Sequence, residues 1–250
     1  MKTNKVMKTV LLSFLTLIPF FSNGQNKKSL SELTKTDNPA WVIVQDWIKH
    51  ADVKVEILPK NQKNAETELL MAQVTTHSPM GAIIYETGGI SIENGLIRIL
   101  GSGNEKLNRG LMTWNKNKSY VYDEQSEFLL IADDVFGGFF AINGGAISLE
   151  SLGKIFYFAP DTLKWENLDL SYTDFLNFCF SKKINDFYAA FKWKNFENDF
   201  KNFDNDKGFS FYPYLFTEEG KNIDKVDKRL VPINELWSLY VDLQKQLSKE

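Results

Sequence analysis

Between residues 38 and 74 the apolar positions recur every three or four residues. Trp41, Val44, Ile48 and Ala51 make one stripe, and Asn38-Pro39 ahead of them supplies a capping residue and a proline at the first helical position. The spacing predicts an amphipathic helix ending near Ala51. Residues 53–58 read as a short strand before Pro59, and 61–74 as a second helix with Ala65, Leu69 and Ala72 on one face. The pattern then changes. Residues 82–85, 90–92 and 96–100 are β-rich runs separated by Gly88-Gly89 and Asn94-Gly95, pairs that tolerate positive φ and favour tight hairpins. They predict a three-stranded antiparallel meander. A polar stretch from 101 to 125 follows, broken by Leu107, Leu111, Met112 and Trp114. Residues 128–132, 138–142 and 154–158 predict a second set of strands, with glycine pairs at 137–138 and 144–145.

After Pro160 the chain is expected to turn helical. Thr173 or Asp174 caps a helix carrying Phe175, Leu176, Cys179 and Phe180, and residues 184–193 make another. Residues 218–229 hold eight charges in twelve positions and read as a solvated loop. Pro232 opens a terminal helix with Leu236, Leu239 or Tyr240, Leu243 and Leu247 on one stripe. Helices, then strands, then helices argue an α+β fold: an antiparallel sheet of about six strands flanked by N- and C-terminal helices, in one domain over 25–250. Twenty of the 35 aromatic residues fall between 155 and 216, a density expected where bulky rings pack helices against a sheet. An exposed aromatic surface for a partner is the alternative.

The first 24 residues follow a different logic. Lys2, Lys5 and Lys8 carry no balancing acid, an apolar run spans 9–21, and Ser22 and Gly24 lie three and one residues before a cut that would leave Gln25 first. Basic start, short apolar run and small exit residues are the features of a secretory signal peptide. The run is short for a membrane span, which needs about 20 apolar residues. The expected address is therefore periplasmic or extracellular, with no stable membrane span after cleavage. The processed chain would carry 26 basic and 32 acidic residues, a net charge of −6.

That acidity and a pI near 5.6 argue against a nucleic-acid partner. One cysteine excludes an internal disulfide framework and a cysteine-cluster zinc site, and Cys179 sits among phenylalanines, as a buried hydrophobe would. Gly101-Ser-Gly103 lacks the remaining glycine and lysine of a phosphate loop, and 204–208 lacks the glycine and closing glutamate of a calcium loop. No catalytic residue, metal or cofactor is assigned. The candidate binding residues are Asp133 and Asp134, an acidic pair at a strand end, with Arg98, Arg109 and Trp114. Three arginines stand against 26 lysines, which marks Arg98 and Arg109 as carboxylate clamps or ring-stacking groups. Internal pairing is the competing reading for both arginines, and a turn cap for one aspartate.

Several strings carry a resemblance: Asp37-Asn-Pro-Ala-Trp41, Gln73-Val-Thr-Thr-His-Ser-Pro-Met-Gly81, Arg98-Ile-Leu-Gly-Ser-Gly103, residues 132–140, Tyr157-Phe-Ala-Pro-Asp161 and Phe211-Tyr-Pro-Tyr214. Together, from about 29 to 247, they resemble the bacterial domain-of-unknown-function family 2625, which implies no known activity. The run from Ile131-Ala-Asp-Asp134 through 139–142 and 153–157 to Tyr172-Thr-Asp-Phe-Leu176 is similar to the Smi1/Knr4-like (SUKH) superfamily, an α+β scaffold used largely for protein binding, including toxin-neutralising immunity proteins. With no catalytic set, an acidic processed chain and the aromatic surplus, this resemblance leads to the expectation of a non-enzymatic, exported, immunity-like binding module, whose acidity would steer a basic protein partner. The alternative is a small-molecule binder or hydrolase built on a carboxylate/arginine cleft.

Overall fold

The computed structural model describes residues 27–119, 127–201 and 203–247; the expected signal peptide lies outside them. In chain order the elements are α1 (Leu30–Thr34), α2 (Ala40–Lys49), β1 (Val55–Leu58), α3 (Gln62–Ala72), α4 (Pro79–Glu86), β2 (Gly89–Ile92), β3 (Ile97–Leu100), α5 (Leu111–Asn115), β4 (Phe128–Asp134), β5 (Phe139–Asn143), β6 (Ile155–Ala159) and β7 (Lys164–Leu170). α6 (Tyr172–Cys179), α7 (Lys183–Phe187), α8 (Phe196–Asp199), β8 (Lys207–Tyr212), β9 (Asp227–Pro232) and α9 (Ile233–Leu247) follow. The fold is α+β. Strands β1 to β7 form one antiparallel sheet in sequence order, and β8 pairs with β9 in a second.

Local chemistry sets the element ends. Asn61 accepts the Asn64 N–H to cap α3, and Ser171 with Asp174 makes a reciprocal cap on α6. The β2–β3 hairpin turns at Asn94 and Gly95, with φ of 60° and 101°, as the Asn-Gly pair requires. β2 to β6 are buried almost throughout. Phe139 meets Trp237 of α9 at 5.0 Å while its neighbour Phe140 meets Phe175 of α6 at 4.9 Å, so helices cover both faces of the sheet there. The aromatic-rich segment is mostly interior: Phe136 alone touches the rings of Tyr188, Phe191, Trp193 and Phe196. Cys179 is buried, and burial pushes its thiol well up.

Three segments differ from the expectation. Residues 82–85 are helical, within α4, because Ser78 accepts the Gly81 N–H and Pro79 occupies the first turn. Met80 through Ile84 are all buried, so the apolar run showed no helical stripe. The meander's third strand is instead β1. After Pro160 comes β7 rather than a helix, its Trp165 packed at 5.1 Å on Phe158. Residues 207–212 and 227–232 make the second sheet, so β9 takes over the end of the expected loop. Among the described residues no helix is long and apolar enough to cross a membrane.

Candidate functional site

Register builds the first part of the site. Arg98 of β3 lies directly across from Asp133 of β4, and its Nη2 stands 2.5 Å from Asp133 Oδ1. Arg109, from the loop before α5, reaches the same carboxylate, donating from Nη2 to Oδ2 at 2.7 Å and Oδ1 at 3.0 Å. Its Nη1 donates to Asp206 and to the Asn205 carbonyl at 3.1 Å, while the Asn108 N–H donates to Asp206 Oδ2 at 2.9 Å. Trp114 stacks against the Arg109 guanidinium at 5.3 Å, and Phe203 against that of Arg98 at 5.5 Å. Two guanidiniums thus share one fully buried carboxylate, and Asp206 balances the second charge. Burial is the largest influence on Arg98 and lowers its pKa, against the raising effect of Asp133.

Asp134 points the other way, as adjacent strand positions must. Its Oδ1 accepts the Phe136 and Gly138 N–H groups, each at 2.8 Å, and its Oδ2 accepts the hydroxyls of Tyr157 at 2.8 Å and Tyr188 at 2.9 Å. This carboxyl closes the β4–β5 turn and ties it to β6 and the segment after α7. Burial raises its pKa, opposed by those same hydrogen bonds. Arg98, Arg109, Asp133 and Trp114 therefore converge and Asp134 does not join them. Both aspartates are 0% exposed, so neither forms a contact face.

Two grooves open beside the cluster. One of about 770 Å³ is lined by Glu56, Glu105, Glu197 and Asp204 against Lys106 and Lys201, with Phe200 and Phe203 among its walls. The other, of about 490 Å³, contains Arg109 and Glu68. Glu68 escaped the sequence reading. It is 2% exposed on α3, and its Oε2 accepts the Met112 N–H at 2.5 Å. The available signal was an acid three positions after Ala65, inside the apolar stripe. The Asp204–Gly208 segment is used by Arg109, and among the described residues no group of three or more His, Cys, Asp or Glu is arranged to hold a metal.

Burial pushes the Glu68 carboxyl up, outweighing the hydrogen bonds from Thr113 and Met112 that lower it. A carboxyl whose folded pKa is raised binds more protons when folded, so its contribution to stability falls as pH rises from the ordinary value of about 4.3 through the raised one. Glu68→Gln lacks this dependence. Urea unfolding from pH 4 to 7 is expected to show the wild type losing stability relative to the variant as pH rises. A gap that stays constant with pH refutes the assignment.

A family described as "Protein of unknown function DUF2625" matches residues 30–236. An uncharacterised protein of Haemophilus influenzae is 44% identical over 207 residues, 82% of this chain and 90% of that protein. A putative uncharacterised protein of Escherichia coli, YbfG, is 37% identical over 224 residues, 89% of this chain and all of that protein.

Proposed function

Because the chain belongs to the DUF2625 family of proteins of unknown function, its role must be argued from its own surface, and we propose that it is an exported, non-enzymatic protein-binding module with a basic partner. The observation that carries this reading is the 770 Å³ groove, whose four carboxylates outnumber its two lysines. Glu56 is engaged by Lys106 at 2.6 Å and Asp204 by Lys207 at 3.4 Å, while Glu105 and Glu197 are exposed at the rim. Lysine or arginine side chains of a partner would meet carboxylates there and find Phe200 and Phe203 for their apolar stems. The net charge of −6 on the processed chain steers the same class of partner. The immunity-like role rests on the resemblance of residues 131–176 to the Smi1/Knr4-like scaffold, a pattern from which β7, between β6 and α6, is a departure. The family region begins at residue 30, downstream of the apolar N-terminal run, which supports reading that run as an added export signal.

The test uses the full chain, leader included, tagged at its C-terminus in the native host. The expected product begins at Gln25 by mass spectrometry and is recovered from the envelope or medium. It is expected to carry a basic protein that dissociates at high salt and is lost from the Glu105→Lys/Glu197→Lys variant. Each reversed rim charge acts mainly on the association rate and its salt dependence. An unprocessed cytoplasmic chain overturns export. A partner set indifferent to salt and to the double reversal overturns the groove.

A further inference from the structure

The smaller groove has a different chemistry. It lies between α3 and residues 102–113, and every residue lining it is polar or a glycine. A lipid or an aromatic ligand would find no apolar side chain there, only the carbon stems of polar ones. The exposed Lys63 and Glu105 balance each other, and the charge of the buried Arg109 is already met by Asp133 and Asp206, so the open wall carries no surplus of either sign. What the groove offers is hydrogen bonding of both senses.

Several lining groups are already spent on the chain itself. Ser102 Oγ donates to the Thr87 carbonyl at 2.7 Å, and Thr67 Oγ1 donates to that of Lys63 at 2.8 Å. Others retain capacity. Asn64 Nδ2 reaches the Gly103 carbonyl only at 3.5 Å. Asn108 is exposed, and its backbone N–H rather than its side chain holds Asp206. The buried Arg109 Nε has no hydrogen-bond partner among the described residues.

At the base, Glu68 Oε2 takes the Met112 N–H at 2.5 Å, and the Thr113 N–H is shared by both oxygens at 3.3 Å, so Oε1 holds no short hydrogen bond to the backbone. A carboxylate oxygen has two acceptor sites, so Oε1 has room for a further donor. Gly110 lies directly against this carboxyl, where any side chain would overlap it.

We propose that this groove binds a small neutral polyhydroxyl ligand of the saccharide class, with Glu68 Oε1 accepting a hydroxyl proton and the Asn64 and Asn108 amides pairing with neighbouring hydroxyls. A hydroxyl both donates and accepts, which matches a wall of amides beside a carboxylate. The volume lies in the usual range for small-ligand sites. The site shares Glu105 with the larger groove but does not depend on the reading of that groove.

Saturation-transfer NMR on the purified protein tests the proposal, with glucose, N-acetylglucosamine and trehalose as probes and arginine and citrate as charged controls. Transfer to at least one saccharide and to neither charged probe is the expected result. Asn108→Ala changes an exposed side chain and leaves the packing intact. It is expected to weaken binding about tenfold, and Glu68→Gln by as much or more, in line with loss of one to two hydrogen bonds. No transfer to any saccharide, binding that Asn108→Ala leaves unchanged, or a preference for a charged probe overturns it.

Discussion

Asp133→Ala is expected to destabilise the protein by roughly 3–5 kcal/mol, because it removes the carboxylate shared by two buried guanidiniums. Arg98 is 0% exposed and its Nε already lacks a hydrogen-bond partner among the described residues, so loss of Asp133 strands its charge. Asp206→Ala provides the contrast. Its side chain is 33% exposed, and Arg109 keeps Asp133, so a cost of about 1 kcal/mol is expected. Urea unfolding of both variants at pH 7 decides the matter. A loss under about 1 kcal/mol for Asp133→Ala, or equal losses in the two variants, would show that the cluster is not the electrostatic centre of the fold.

The second large effect is expected at Asp134. Asp134→Ala leaves two buried backbone N–H groups and the hydroxyls of Tyr157 and Tyr188 without their acceptor. At about 1–3 kcal/mol for each orphaned group, with some rearrangement, the loss is on the order of 4 kcal/mol. Tyr188→Phe removes one donor and leaves Asp134 three, and is expected to cost about 1 kcal/mol. Asp134→Asn keeps the shape and one oxygen acceptor for the turn, and should fall between them. The prediction fails if alanine is no worse than asparagine in thermal or urea unfolding.

Where local chemistry decided the structure, the sequence was readable. Asn94-Gly95 made its hairpin, Asn61 stood at a helix start, and the runs at 128–134, 139–143 and 155–159 became strands, while Pro39 precedes α2 without a side-chain cap from Asn38 and not as its first residue. The misread segments were those decided by tertiary surroundings. α4 is buried on all sides, so its Ile83-Ile84 looked like a strand. β7 is an edge strand whose lysine, glutamate and aspartate face water, leaving too weak an alternation to recognise. At the site, residue types were informative but partners were not. Scarce arginines pointed to clamps, yet nothing in the spacing could place Arg98 across from Asp133, since register between those strands depends on the 27 residues between β3 and β4. Glu68 was hidden for a related reason: a helix stripe shows that a position is buried, not what it meets.

The order of the large sheet bears on how the chain assembles. Each strand lies beside the one preceding it, so a chain emerging from its N-terminal end always presents the next partner strand last made. Neighbour pairing keeps every connection in the sheet between strands that follow one another in sequence, the longest being residues 59–88 between β1 and β2, which limits the cost in chain entropy. The guanidinium of Arg109 works on a longer span, gripping residues 96 and 97 positions downstream. Growth of the sheet and fastening of the segment that leads into β8 are thus separate events. The clasp at Asn205 and Asp206 can shut only after all seven strands have been synthesised, because both residues lie beyond β7.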